Sequence, residues 1–286
     1  KIYKRSGPHA VREAALSPIR MFSTQHAYGE CKRLINQRFS AFDFESSRDF
    51  FLPYPVSSDV IKLTEHRNKT TKIAYCGTPL IEDRAHKILS ALKDLDSDYE
   101  LSWLIDSSER NQAQSLLDEF AIKSVNLIEG RTPSKWIEII SSADVALHSH
   151  FSVYGHTEPY LSMSLMAGLP CIVTNFASLE YAPESLVFKI QAGEFESFET
   201  ASLLRAIISG KVQIESEKIR AYAIEMFEAK KIASELISVF TKCREYLREV
   251  NFRWAEISNE ARSRLVSESH ELFTASELDV KHLHEL

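Results

Sequence analysis

The sequence predicts an α/β domain built on a doubly wound parallel sheet. Three features predict it. Short apolar, β-branched runs recur through the middle of the chain. A turn and an amphipathic stretch follow each one. The turns carry the threonine, proline and glycine residues that start and stop helices. Strands alternating with helices of about 10 to 15 residues form βαβ units, and right-handed crossovers place those helices on both faces of one sheet. Such a domain is Rossmann-like.

The strand candidates, in order, are KIAYCG (72–77), YELSWLID (99–106), SVNLIEG (124–130), DVALHSH (144–150), PCIVTNF (170–176) and SLVFKI (185–190). Helices are expected between them, near 83–95, 109–122, 133–143, 158–167 and 197–209. Thr132 before Pro133, and Thr157 shortly before Pro159, set a capping hydroxyl and an early proline at two helix starts. Gly168 and Gly210 follow helical runs, where a left-handed C-cap is expected.

The flanks read differently. Residues 1–60 are expected to be the tail end of an N-terminal domain and its linker. A helical stretch over 24–38 is followed there by FDFESSRDFFLPYPVSS, with prolines and clustered serines. Residues 61–212 hold the α/β domain. Residues 213–286 form a helical extension through IRAYAIEMF, IASELISVF and CREYLREVNFRWAEISNEARSRLV, with Trp254 as a packing anchor. Oligomerisation, membrane contact and docking to another domain all remain open as roles for that extension.

Composition narrows the function classes. Hydrophobic residues make up 44% and charged residues 26%, the balance of a globular protein. A net charge of -6 and the lack of a basic block leave no footprint for nucleic acid. Cys31, Cys76, Cys171 and Cys243 are scattered, with no CxxC pair and no zinc spacing, so reduced thiols are expected. No run reaches the roughly 18 to 20 apolar residues of a transmembrane helix. The expected location is the cytoplasm, with peripheral membrane contact left open.

Ligands of an open parallel sheet bind beyond the carboxyl ends of its strands, where strand order reverses. Two strand ends attract notice here. The first carries Cys76, Gly77 and Thr78, with Arg84 at the next helix start. The fourth carries His148, Ser149 and His150, and after it come Tyr154, Gly155, His156, Thr157, Glu158 and Pro159. A glycine lets a ligand approach the backbone, and a helix N-terminus offers N–H groups and partial positive charge to a phosphate. The helix starting near Thr157 is therefore expected to cradle a diphosphate, with Arg84 as the opposing cation.

Other readings of these residues stay open. Arg84 could pair with Glu82 or Asp83, and Glu158 could serve only the helix dipole. Asp106 and Arg131, also at strand ends, could face cleft or surface, and His26 could reach the cleft from the early helix. His148, His150, His156 and Glu158 could ligate a metal, but lining the cleft or closing the sheet end suits them better, and no metal is expected. No GxxxxGK[ST] or GxGxxG loop occurs, which argues against kinases, P-loop ATPases and simple dehydrogenases.

The segment GHTEPYLSMSLMAGLPCIVTNFASLEYAPESLVFKI resembles the donor-site signature of family-4 glycosyltransferases, through Gly155, Thr157, Gly168, Pro170, Thr174 and Pro183. Upstream, IAYCGTPLIEDRAHKILSAL and SSADVALHSH are similar to the family's opening strand, glycine turn and "ADV" strand. The resemblance spans roughly residues 70–230. It implies the C-terminal, donor-binding domain of a GT-B enzyme that transfers a sugar, with retention, from a nucleoside-diphosphate sugar to a hydroxyl acceptor. It implies no cofactor beyond that donor and no catalytic metal.

By the same resemblance, Arg84, His156 and Glu158 are the catalytic candidates. Gly77, Thr78, Arg84, Gly155, His156, Thr157 and Glu158, joined by Asp106, Arg131 and Ser149 from their places at strand ends, are the donor-binding candidates. The chain departs from the family at Thr78, where arginine is common, and at His156, where one branch has glutamate. It also departs at Gly155 and Met163, where many members carry paired glutamates. A catalytically silent nucleotide- or protein-binding relative, or a sugar-nucleotide epimerase of the same shape, are the alternatives.

Overall fold

The computed structural model describes residues 20–22, 49–64, 70–80, 84–95, 98–122, 124–149, 159–176, 179–180, 182–242 and 244. The chain divides into two compact units, Lys1–Leu236 and Ile237–Leu286. In the second unit the described residues, 237–242 and 244, are helical.

The first unit opens with two short strands, β1 (Arg20–Phe22) and β2 (Asp49–Phe51), paired in parallel. β2 lies inside the stretch expected to be linker, where two adjacent phenylalanines outweigh the nearby prolines. The helix expected over 24–38 lies outside the described residues, as do Cys31, Cys243, His26 and Trp254.

The main sheet follows: β3 (Thr71–Cys76), α1 (Ala85–Lys93), β4 (Tyr99–Ile105), α2 (Arg110–Phe120), β5 (Val125–Glu129), α3 (Pro133–Ile140), β6 (Val145–His148), α4 (Pro159–Met166), β7 (Cys171–Thr174), β8 (Phe188–Ile190), α5 (Glu196–Ile208) and α6 (Ser216–Phe227). All six strands run parallel, in the order β5-β4-β3-β6-β7-β8. Counted from β3 as the first, this is the 3-2-1-4-5-6 order of a doubly wound domain. The fold class and the alternation of elements match the sequence expectation. The run SLVFKI is shorter as a strand than expected, because the Pro183 carbonyl accepts from the N–H groups of Leu186 and Val187 and holds a turn there.

Successive strand residues point to opposite faces, and each face has its own core. Ile73, Tyr75, Leu101, Trp103, Val145, Leu147 and Ile172 pack with α1, α2 and α5. Ala74, Leu104, Ala146, Cys171 and Val173 pack with α3, α4 and α6. Helix ends obey local chemistry. The Thr132 hydroxyl accepts from the Lys135 N–H at 3.4 Å and Pro133 opens α3. Gly168 and Gly210 stop α4 and α5 with φ of 73° and 66°.

Val56 and Ile61, from the stretch before the sheet, share a core with Ile219 and Ala223 of α6. Arg220 fixes this corner by donating to the carbonyls of Ile61 at 2.7 Å, Ser58 at 3.1 Å and Met166. Helical backbone resumes after a break at Glu228, where the Val56 N–H donates to the Phe227 carbonyl and the Val56 carbonyl accepts from the Ala229 N–H. Among the described residues, no helix is long and apolar enough to cross a membrane.

Candidate functional site

β3 and β6 are neighbours through Ile73–Val145, Ala74–Ala146 and Tyr75–Leu147. The chain leaves β3 for α1 in one core and leaves β6 toward α4 in the other. The two connections diverge, so strand order reverses between β3 and β6, the position at which open parallel sheets bind ligands.

Gly77 and Thr78 stand at the end of β3. The Gly77 carbonyl accepts from the buried Trp103 indole N–H at 2.8 Å. A Cβ at Gly77 would collide with the Tyr75 hydroxyl, so the glycine leaves room for that phenol beside the strand end. Thr78 is half-buried, and its hydroxyl accepts from the Leu80 N–H at 3.4 Å. Ser149 is buried at the end of β6. Gly155, His156, Thr157, Glu158 and His150 lie outside the described residues.

Arg84 begins α1 in a left-handed conformation, φ 55° and ψ 28°. Among the described residues it pairs with Glu196, 112 positions on, in the first turn of α5, while Glu82 and Asp83 lie outside the described residues. Arg84 Nε donates to Glu196 Oε2 at 2.5 Å, and Nη2 closes an ion pair with the same oxygen. Glu196 is fully buried, and its Oε1 accepts from Thr174 Oγ1 at 3.3 Å. The neighbouring His86 imidazole is held below its ordinary pKa by burial first, then by repulsion from Arg84 and Lys87.

A second charged group occupies the ends of β4 and β5. Arg131 pairs with Glu109 at 2.9 Å and with Asp106 at 3.7 Å, while the Glu109 carboxylate also accepts from the Asp106 N–H at 3.0 Å. Asp106 and Arg131 therefore lie together on the rim. Tyr160, at the start of α4, comes near both and bonds to the Cys76 thiol. Burial first, and then the Cys76 charge, push its phenol well above the ordinary tyrosine range.

His148, the last residue of β6, is buried in the core. Its Nε2 lies 3.2 Å from Ser164 Oγ, and its ring sits edge-on to Trp136 at 5.9 Å. Burial drives its pKa down to about 3, so the ring is neutral. It is satisfied at the sheet end, one of the two places the sequence left open for it. Met163 is also in the core, at 4% exposure. Among the described residues, no group of three or more His, Cys, Asp or Glu could hold a metal ion.

No protein-family model and no curated protein matches the chain. Solved structures do match. Sucrose-phosphate synthase from Thermosynechococcus elongatus is 10% identical, with a TM-score of 0.66 over 85% of this chain and 65% of its own. HepE from Anabaena, in complex with UDP-glucose, is 10% identical, with a TM-score of 0.66 over 82% of this chain and 66% of its own. The lipopolysaccharide outer core galactosyltransferase WaaB, in its apo form, is 17% identical, with a TM-score of 0.59 over 79% of this chain and 62% of its own.

The fold is that of a GT-B glycosyltransferase. The chain spans just under two thirds of the length of these three GT-B structures.

The structure brings Gly77, Thr78, Arg84, Ser149, Asp106 and Arg131 to the carboxyl ends of the strands. It adds Tyr160, Glu109 and Glu196, which sequence reasoning missed. The signal for Glu196 was slight, a carboxylate at the start of a predicted helix, where the dipole favours it. Nothing local pointed to Arg84.

Proposed function

We propose that this chain carries the donor-binding half of a glycosyltransferase that moves a sugar, with retention, from a nucleoside-diphosphate sugar to a hydroxyl acceptor. The observation that carries this reading is the reversal of strand order between β3 and β6 in a 3-2-1-4-5-6 sheet, the point at which such sheets bind their ligands. Support comes from HepE, a structure of the same fold solved with UDP-glucose.

The chemical task in such a site is to stabilise negative charge on the departing diphosphate. N–H groups at the start of α4 and the Arg84 guanidinium supply fixed positive charge for it, as preorganised donors do for other developing anions. Gly77, Thr78 and Ser149 line the approach to the strand ends. Asp106 and Arg131 take the nucleoside side of the donor. His156 and Glu158, with Gly155 and Thr157, belong to the loop that receives the sugar. These groups carry the charge without a metal.

Titration calorimetry with UDP-, GDP- and ADP-sugars, followed by a donor-hydrolysis assay, tests the reading. Binding of one donor with slow hydrolysis is expected. Failure to bind any of the three contradicts it.

Met163 favours a second reading. It occupies the core at 4% exposure, where many family-4 members carry a glutamate for the nucleotide ribose. A catalytically silent relative that binds a nucleotide or a protein partner would have this feature. Tight binding of a donor without hydrolysis or transfer would select it.

A further inference from the structure

A carboxylate is almost never fully buried unless it is paired, because desolvation costs several kcal/mol that the partner must offset. Glu196 is such a carboxylate, at 0% exposure. Thr174, the last residue of β7, donates to its Oε1 at 3.3 Å, and the Gly193 N–H reaches its Oε2 at 3.4 Å. The group is thus fixed to the sheet and to the loop before α5. That same Oε2 takes Nε and Nη2 of Arg84.

Joining α1 to α5 does not by itself call for this arrangement. Buried ion pairs are often replaceable by apolar residues without loss of stability. The core that α1 and α5 share is already apolar, through Ile88, Leu89 and Leu204. Arg84 moreover keeps a left-handed backbone, which a non-glycine residue holds only where its surroundings impose it. Both features confine a long, flexible cation at the carboxyl end of β3, and both lie on the ligand side of the sheet.

The structure assigns Glu196 the role of a positioning residue: it holds the Arg84 guanidinium where the donor diphosphate is gripped. The assignment rests on the donor reading above. Glu196 touches no substrate in this scheme and acts only through Arg84, so its effect on binding disappears once Arg84 is removed.

A double-mutant cycle on the full chain tests this, with titration calorimetry against UDP, GDP and ADP for wild type, R84A, E196A and R84A/E196A. E196A is expected to weaken the preferred diphosphate by about 10- to 100-fold, the scale of one charge-assisted contact. The double variant is expected to bind no more weakly than R84A alone. E196Q keeps an acceptor for Nε and is expected to recover part of the loss. Wild-type affinity in E196A, or losses that multiply in the double variant, overturns the assignment.

Should E196A not fold, E196D serves in its place, since it keeps the charge but withdraws it by one methylene. Weakened binding at an unchanged melting temperature supports the assignment, and wild-type affinity overturns it. If the wild-type chain binds none of the three nucleotides, the donor reading falls and this role falls with it. If it binds one, and the Glu196 variants bind equally well, only the role of Glu196 falls.

Discussion

His148 donates from Nε2 to the Ser164 hydroxyl, 3.2 Å away between β6 and α4. The direction follows from the next bond, because Ser164 spends its own proton on the Tyr160 carbonyl at 2.8 Å. The ring is therefore the neutral Nε2–H tautomer, buried where a charge has no counterpart among its described contacts.

Acid should unfold the protein through this residue. The folded pKa is pushed from 6.5 down to about 3, so the unfolded chain binds more protons between those values. Stability is then unaffected by His148 above pH 6.5 and falls as pH drops below it, by up to about 1.4 kcal/mol per pH unit. Melting curves from pH 7 to 4 on wild type and H148Q check this. The variant should show the shallower slope.

Two glycines with the same backbone conformation should respond differently to alanine. At Gly210, φ is 66° and the space beside it is open, so Gly210→Ala should cost about 1 kcal/mol, the left-handed penalty alone. At Gly168, φ is 73° and a Cβ would meet the Ser216 carbonyl oxygen at 2.7 Å. Backbone there cannot simply yield, and Gly168→Ala should cost about 3 kcal/mol or more. Urea denaturation of both variants measures the difference.

Both caps were legible in the sequence, as were the sheet strands, because period, capping hydroxyls and terminal glycines are local signals. Pairs remote in sequence were not. Arg84 meets Glu196 across 112 positions, and Val56 meets Phe227 and Ala229, through folding geometry that no window of sequence contains. The two phenylalanines of β2 were hidden by neighbouring prolines and serines. The expected donor loop of Gly155 to Glu158 was read from its glycine, its helix start and its resemblance, and lies outside the described residues.

Arg220 should matter for stability and not for the donor. Its guanidinium serves three backbone carbonyls, from Ser58, Ile61 and Met166. Arg220→Met strands them, and with charged hydrogen bonds each worth about 1.5–3 kcal/mol, a loss of at least about 2 kcal/mol is expected. The urea midpoint should fall at constant m-value. Nucleotide affinity, measured where the variant is folded, should hold.

Arg84→Ala should lower turnover by about 100- to 1000-fold, the usual effect of deleting one preorganised donor from a developing anion. Arg84→Lys should recover only part of it, because an ammonium cannot reproduce the planar fork that Glu196 holds. Initial rates with a radiolabelled donor check both. Near-wild-type turnover in Arg84→Ala would remove this residue from the site.

The most direct measurement is a crystal structure of the full chain with the nucleoside diphosphate it binds best. The diphosphate should lie over the carboxyl ends of β3 and β6, with its oxygens in hydrogen-bond contact with the start of α4 and with Arg84. A nucleotide bound elsewhere, or a crevice filled by the chain's own side chains, would contradict the account.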